Sequence, residues 1–395
     1  MMSINQHALI QTILDFLNTE NLSHQTLWIG FSGGVDSSVL LHALAHCHHH
    51  RDQLSLHAIH INHQLQIDAQ KWVKHCKDYC KALNVPLTVI PVDINQNHPH
   101  GLEAAARSAR YHAFEQHIPK HGQLLLAHHA NDQAETLLQR LCHGQRLLGL
   151  SSMKAKRQHQ HFKVLRPLLD VMHTEILDYA RYHTIQPIID PSNTNTVFER
   201  NWLRQTVLPT LQTRHPAIIQ CIQRTQKRLQ DAQTLLDTLA EIDLADMAYS
   251  DPPRLDLKKF LRLPLQRQLN TLIYWLRHFQ INSPNRIKLE TLCQQLKQAK
   301  SDRHPECHCD DAMLKKYRTW LYFIRPSKKI QINSLATTKL IFNHEAQYIL
   351  PYHLGILKAH RTAGKGIHCI KNLTIKFRSG GERICLYGHE RAGHR

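Results

Sequence analysis

The chain has no apolar run near the ~18 residues that a membrane-crossing helix needs, which excludes a helical span. Its N-terminus, MMSINQHALIQTILDFL, lacks the basic start and small-residue cleavage site of a signal peptide and reads as an amphipathic helix. Ten cysteines in 395 residues follow no dense paired spacing. That excludes a disulfide framework and fits a reducing cytoplasm. Internal repeats are absent. Acids are outnumbered, 31 Asp and Glu against 49 Lys and Arg, giving a net charge of +18. Thirty-three histidines add positive charge in mild acid. Such a field favours a polyanionic partner, nucleic acid first. Apolar residues at 42% and charged residues at 20% are ordinary for a globular chain and exclude general disorder. The length is that of two or three domains.

Strand-like and helix-like segments alternate through the first 212 residues. A short apolar strand is expected to open TLWIGFSGGVDSSVLLHAL (Thr26–Leu44), and further strands at Leu54–Asn62, Pro86–Ile94 and Gln123–His129. Helical spacing covers Asp68–Leu83 through Trp72, Cys76, Tyr79, Cys80 and Leu83, and Gly101–Ile118 through an apolar stripe of Leu102, Ala106, Ala109 and Ala113. The fold class that follows is α/β, a doubly wound parallel sheet with helices on both faces. Ligands of such sheets sit beyond the carboxyl ends of the strands. The pattern changes at 213, where a long helix opens near Pro216, and residues 213–326 read as an α-helical domain. Residues 327–395, with KKIQINSL, TKLIFN and IHCIKNLTIKFRSGG, read as a small β-containing domain that ends abruptly and looks incomplete. The histidines of HCHHHR, His46–Arg51, read as a solvated helix end.

The stretch Ser32-Gly33-Gly34-Val35-Asp36-Ser37-Ser38 sits where the first strand feeds a helix. Glycines there allow positive φ and let a ligand approach the backbone. Free N–H groups at the helix start favour an anion. Ser32, Ser37 and Ser38 supply hydroxyls. No Walker lysine is present. An acid, Asp36, stands in the loop instead, and a carboxylate beside phosphates calls for a cation between them, for which Mg²⁺ is suited.

A second segment, AHHANDQAETLLQRL (Ala127–Leu141), also follows a strand and opens a helix. Asp132, Glu135 and Thr136 are three or four apart and share a face, where they serve a cation or an amine. On the helix from Leu102 to Phe114, Glu103, Arg107 and Arg110 oppose the alanine stripe. In DPSNTNTVFERNWLR, turn residues lead into Arg200, Asn201 and Arg204, placed to touch RNA phosphates or to close over the active site. KKYRTW sets Lys315, Lys316 and Arg318 beside Tyr317 and Trp320, a pattern for backbone contact with base stacking.

The glycine loop resembles that of the N-type ATP pyrophosphatases, the PP-loop superfamily with its adenine nucleotide alpha hydrolase-like fold, which cut ATP to AMP and pyrophosphate. Together SGGVDSSVLL, IHINHQL, GLEAAARSARYHAF, AHHANDQAET, LRPLLD, DPSNTNTVFERNWLR and FRSGGERI resemble the tRNA(Ile)-lysidine synthetase family from Ser32 to Ile384. That resemblance implies ATP-dependent adenylation of the wobble cytidine at its C2 oxygen in a tRNA(Ile) with a CAU anticodon. The ε-amine of L-lysine then attacks C2 and releases AMP. It implies ATP as cosubstrate on Ser32, Gly33, Gly34, Val35, Asp36, Ser37, Ser38, Ile61 and His63. It implies Mg²⁺ on Asp36 and Asp132, Glu135 near the lysine amine, and Arg107 as a substrate-binding group. Arg110, Arg200, Asn201 and Arg204 fall to substrate and tRNA. The carboxylate roles agree with the chemistry, since an ammonium must lose a proton before it attacks. Arginine suits a carboxylate or phosphate through its planar fork. The implied location is cytoplasmic, with no membrane partner; the oligomeric state is left open, a homodimer included.

Three departures stand against that pattern. Asn131-Asp132 replaces two aspartates, CHGQRLLGLSSM replaces a more glycine-rich stretch with His143 and Arg146 in place, and the last domain is short. The rival is a PP-loop tRNA thiolation enzyme. Those with an iron–sulfur cluster need paired C-x-x-C ligands, whereas Cys76 and Cys80 are spaced for a helix core. His304, Cys307, His308 and Cys309 lack zinc-finger spacing.

Overall fold

Thr26–Gly30 is a five-residue apolar run, too short for a helix, and forms strand β1 with Leu27 and Ile29 fully buried. The structure, a computed structural model, describes residues 4–22, 25–48, 54–64, 69–94, 101–151, 153–299 and 303–325, and the backbone of six short strands between 338 and 394. The chain divides into two units, Met1–Leu236 and Asp237–Arg395.

In the first unit β1 is joined by β2 (Ser55–Asn62), β3 (Leu87–Pro91), β4 (Gln123–Leu125), β5 (Lys156–His159) and β6 (Phe162–Leu165). They lie in the order β3-β2-β1-β4-β6-β5, parallel apart from the edge strand β5, which returns antiparallel on β6. The doubly wound sheet expected from the alternation is therefore present, with one antiparallel edge. The chain runs outward from β1 to β3 and then re-enters beside β1 as β4. The reversal between β1 and β4 opens a crevice at the carboxyl ends of the strands.

Helices α1 (Ile4–Thr19), α2 (Val35–His48), α3 (Ala69–Ala82) and α7 (His173–Tyr182) share one core with Leu27, Ile29 and Ala58 of the sheet. The opposite face packs Phe114 and Ala113 of α4 (Gly101–His117) on Ile59, Leu124, Phe162 and Val164. The stripe of α4 is thus centred on Ala105, Ala113 and Phe114 rather than on Leu102, Ala106 and Ala109, which are only half-buried; the large Phe114 sets which face turns inward. Helices α5 (Ala130–Cys142) and α6 (Leu147–Leu150) follow β4. After α7 come α8 (Glu199–Trp202), a single π-helical turn at Leu203–Val207, and α9 (Leu208–Arg214).

The expected boundary at 212/213 falls instead inside a continuous helix, α10 (Ile218–Ala245), between Leu236 and Asp237. Ile219 and Ile222 of α10 pack on Ala130, Ala134, Leu137 and Leu208, so its first half belongs to the first core. The change of composition at 213 lies near the end of α9, five residues before α10 begins, and the compact unit runs on to Leu236.

The middle segment carries the expected helices, namely α11 (Leu257–Phe260), α12 (Leu265–His278) and α13 (Arg286–Gln298). It also carries a five-stranded antiparallel sheet that its helical reading omitted. The strands are β7 (Ala248–Ser250), β8 (Pro253–Asp256), β9 (Glu306–Cys309), β10 (Ala312–Tyr317) and β11 (Trp320–Ile324), in the order β7-β8-β11-β10-β9. Leu255, Leu314, Leu321 and Phe323 form its inner face, against Leu272, Trp275, Leu276, Leu289 and Leu292 of α12 and α13. Beyond residue 325, β12 (Thr338–Ile341) pairs with β15 (Asn372–Ile375), β13 (Gln347–Ile349) with β14 (Ile356–Lys358), and β16 (Arg383–Ile384) with β17 (Gly393–His394), all antiparallel. The expected β-containing tail is present to that extent; KKIQINSL and the FRSGG motif lie outside the described residues, as do residues 49–51 of the histidine run. Among the described residues no helix is long and apolar enough to cross a membrane.

Candidate active site

The loop between β1 and α2 is shaped by its own side chains. Gly33 has φ +86°, and a Cβ there would stand 2.4 Å from Ile188 Cδ1. Gly34 is different, since its Cβ would meet only Ser32 Oγ at 3.5 Å, leaving that backbone open. The Ser37 hydroxyl donates to Gly34 O (3.0 Å) and accepts from the Ser32 N–H (3.2 Å). Ser38 is fully buried and donates to Gly33 O at 3.3 Å. Of the expected phosphate-binding hydroxyls, the Ser38 hydroxyl is therefore committed to holding the loop. The start of α2 and its free N–H groups stay open to an anion.

This loop forms one wall of a 470 Å³ cavity at the crevice predicted by the strand order. Ser32, Gly34, Asp36 and Ser37 line it with Ile61 and His63, as expected; Gly33, Val35 and Ser38 stand behind the wall. Arg110 reaches the cavity, whereas Arg107 is exposed with its guanidinium 5.0 Å from the Tyr111 ring and does not line it. Burial, with the nearby Arg110 and His60, brings His63 down to about 4, so it is neutral near pH 7.

Asp36 Oδ1 is shielded from solvent and makes no well-formed hydrogen bond. His173 Nε2 lies 3.4 Å from it and His129 Nε2 3.7 Å, with the two rings stacked at 4.8 Å. Burial pushes the Asp36 carboxyl up, but the facing imidazoles of His129 and His173 overcome it and hold the group below the usual carboxylate range. For His129, burial acts downward, and the Asp36 and Asp132 carboxylates outweigh it and raise the imidazole. An ionised oxygen that faces two imidazoles without a close hydrogen bond, beside open loop amides, fits a hard cation such as Mg²⁺.

Asp132 is the second expected metal ligand, and the structure commits it elsewhere. Its Oδ2 accepts the His129 N–H at 3.0 Å, and its Oδ1 accepts Arg200 Nη2 at 2.6 Å and Arg204 Nη2 at 3.2 Å. Glu135, 1% exposed, accepts Arg200 Nε and Arg204 Nη2 on Oε2 (2.8 and 3.1 Å) and Arg204 Nε on Oε1 (2.6 Å). Position explains the pairing. Asp132 and Glu135 share the first turns of α5, while Arg200 and Arg204, four residues apart, share the face of α8 and the π-turn. Burial alone would lower both arginines, but Asp132 and Glu135 reverse this and raise them. Both arginines are thereby tied to the start of α5. Asn201 donates instead to Asn195 O at 2.9 Å, within the preceding turn.

Several participants had no assigned role in the sequence. His129 stands between the two half-sites, 3.7 Å from Asp36 and 3.6 Å from Asp132; the doublet in AHHANDQAET was its only signal. His173 lies outside every motif. The departure Asn131 positions it, because Asn131 Oδ1 accepts the His173 N–H at 3.2 Å. Arg166 of LRPLLD is 3% exposed and donates to His128 Nδ1 (3.3 Å) and Lys154 O (2.8 Å). Cys76 and Cys80 are core residues whose thiols burial pushes up to about 12, not cluster ligands.

In the second unit the outer face of the sheet is aromatic and basic. Arg254 lies 4.7 Å from the Trp320 ring and 5.4 Å from that of Tyr249, with Tyr317 and Tyr322 on the neighbouring strands. Lys316, expected to be exposed, is buried and donates to Ala299 O (3.2 Å) and Arg303 O (3.3 Å); strand alternation sends it inward while Lys315 faces out.

Residues 5–211 match the PP-loop domain family and residues 255–322 the TilS substrate binding domain. A tRNA(Ile)-lysidine synthase of Coxiella burnetii is 34% identical over 377 residues, covering 94% of this chain and 82% of that protein. Another, of Alkalilimnicola ehrlichii, is 38% identical over 290 residues, covering 73% and 64%. A solved U34-tRNA thiolase of Methanococcus maripaludis has a TM-score of 0.47 at 16% identity, covering 56% of this chain and 77% of that one.

Proposed function

The chain belongs to the tRNA(Ile)-lysidine synthase family, and we propose that it uses ATP to join L-lysine to C2 of the wobble cytidine in a tRNA(Ile) with a CAU anticodon. The observation that carries this reading is the union, at one sheet edge, of two carboxylate centres bridged by His129. One is Asp36, facing His129 and His173 at a loop open to phosphates; the other is the buried Asp132–Glu135 pair.

ATP lies in the 470 Å³ cavity with its phosphates on the amides of the loop and the start of α2. The cytidine O2 attacks the α-phosphorus; the O2–P bond forms, the bond to the β-phosphate oxygen breaks, and pyrophosphate leaves. The lysine ε-amine then attacks C2, AMP departs with O2, and the ammonium proton passes to Glu135. Asp36 would hold Mg²⁺, which would supply neutralisation of the charge that develops on pyrophosphate. Arg110 on the cavity wall binds nucleotide or substrate anion; Arg107, exposed within α4, helps to bind substrate. Lysine is the amine substrate that the family implies, and its ammonium suits carboxylates such as Asp132 and Glu135.

Residues up to 236 carry the chemistry, and the second unit contributes tRNA contact, supported by its aromatic and basic sheet face. The reducing cytoplasm is the compartment, a view supported by eight free thiols among the described residues. The deciding experiment is mass spectrometry of nucleosides from tRNA incubated with the protein, ATP and lysine. Lysidine supports the reading; a thiolated base or unmodified cytidine refutes it.

A further inference from the structure

The Asp132–Glu135 centre is already full. Five hydrogen bonds of 2.6–3.2 Å tie its two carboxylates to Arg200 and Arg204. Two anions face two cations, so an added ammonium finds neither an unpaired charge nor, on Glu135, an unoccupied oxygen. Removing a cation from a buried pair is costly unless another replaces it. The amine substrate brings such a replacement.

We propose that Arg204 occupies the seat of the substrate's ε-ammonium and must leave it before lysine binds, which makes Arg204 a specificity-positioning residue. This rests on Asp132 and Glu135 being the amine site.

Three observations single out Arg204 over Arg200. Glu135 Oε1 accepts from Arg204 Nε, while the Arg200 bonds fall on Glu135 Oε2 and Asp132 Oδ1. Withdrawal of Arg204 thus bares one oxygen and leaves the Arg200 bridge in place. The Arg204 side chain is also the more exposed, 44% against 31%, so it has somewhere to go. Finally, Arg204 sits in the π-helical turn Leu203–Val207, whereas Arg200 sits in regular helix. Isolated π turns are uncommon, weakly held and concentrated at functional sites. Return of that turn to α geometry shifts its side chains without unfolding α8 or α9. Arg204 does not line the cavity, so the exchange is read in the lysine KM rather than in the ATP KM.

The energetic consequence is a competition. When a binding-competent state is only partly populated, the apparent affinity falls by that fraction. A small dication or ammonium ion then cannot enter cheaply, and a substrate must replace guanidinium hydrogen bonds one for one.

The test is steady-state kinetics of the full chain with saturating ATP and tRNA(Ile) transcript, varying lysine. Arg204→Met is expected to lower the lysine KM by about fivefold or more, the lower range for coupled equilibria, with the ATP KM unchanged. Arg204→Lys, which restores a cation, is expected to return the lysine KM toward that of the unaltered chain. Methylguanidinium, a detached copy of the side-chain head, is expected to compete with lysine in Arg204→Met and to have little effect on the unaltered chain. Arg204→Gln gives the same reading should Arg204→Met fold poorly. A lysine KM that rises or stays fixed in the folded variants overturns the displacement. Glu135→Gln separates the two levels: it is expected to raise the lysine KM. If it does not, the amine-site assignment falls, and this proposal with it. If it does while Arg204→Met leaves the KM unchanged, only the displacement falls.

Discussion

The two loop glycines make opposite demands, and substituting each in turn tests the site's architecture. Gly33→Ala forces a Cβ into left-handed backbone at φ +86° and to 2.4 Å from Ile188 Cδ1 and 3.1 Å from Cys76 Sγ. The backbone strain costs about 1–2 kcal/mol. The overpacking adds about 1–3 kcal/mol, because the neighbouring side chains must move. The sum, roughly 2–5 kcal/mol, corresponds to a fall of about 5–15 °C in Tm for a unit of this size. Gly34→Ala meets only Ser32 Oγ at 3.5 Å. It leaves stability unchanged or raises it by up to about 1 kcal/mol through the unfolded chain. Its methyl group faces the cavity instead, so the ATP KM rises. Denaturant unfolding and ATP–pyrophosphate exchange measure the two effects. The double variant Gly33→Ala/Ile188→Ala recovers the steric part but not the backbone part, a cycle that isolates the Ile188 contact. Equal stability of Gly33→Ala and the unaltered chain would refute the loop geometry. Loss of stability in Gly34→Ala with an unchanged ATP KM would reverse the division of labour between the two glycines.

Asp36→Asn removes the charge that the His129 and His173 imidazoles face, so it should cost about 1–3 kcal/mol of stability while the fold is kept. Pyrophosphate release should fall roughly 100-fold or more through lost transition-state charge stabilisation; unaltered release would show that this carboxylate does not serve the phosphates. Affinity for tRNA should decline linearly in log–log plots against salt, through counterion release from a chain of charge +18, and a flat response in filter binding would contradict a phosphate-dominated interface. Burial, with the neighbouring His183 and His46, lowers His42 to about 4. Its folded value lies below the unfolded 6.5, so the unfolded chain binds more protons between those values and stability declines as pH falls through that window. His42→Gln should shallow this acid slope in urea titrations at pH 4–7; an unchanged slope would reassign it.

The local pattern was legible and the long-range charge pairing was not. Short apolar runs separated by helical periodicity gave β1, β2 and the helices between them, because burial on both faces of a parallel strand is written into each segment. The S-G-G-x-D-S-S loop was legible because it needs special backbone within seven residues. Arg200 and Arg204 lie 65 and 69 residues from Glu135, and nothing local to either segment says which carboxylate they meet. His173 carries no motif at all and joins Asp36 only because Asn131 fixes the start of α7. The strands β7, β8 and β9 have three or four residues each and several charges, so the two-residue period hardly develops before it ends.

The same charge pairing explains how the fold tolerates its own active site. Asp36, Asp132 and Glu135 crowd one sheet edge, and three unpaired carboxylates with this much burial would carry a desolvation cost of several kcal/mol each. Protonation would relieve that cost and destroy the chemistry. The directions of the shifts run the other way: Asp36 and Asp132 are held below the usual range, and His129, Arg200 and Arg204 are raised. Neutralisation is therefore achieved by partners rather than by protons. His129 serves both Asp36 and Asp132, so the phosphate half and the amine half share one imidazole. His129→Asn should then raise the ATP and lysine KM values together, because neither carboxylate keeps its imidazole partner. A variant that impairs only one of the two would mean that the halves are balanced separately.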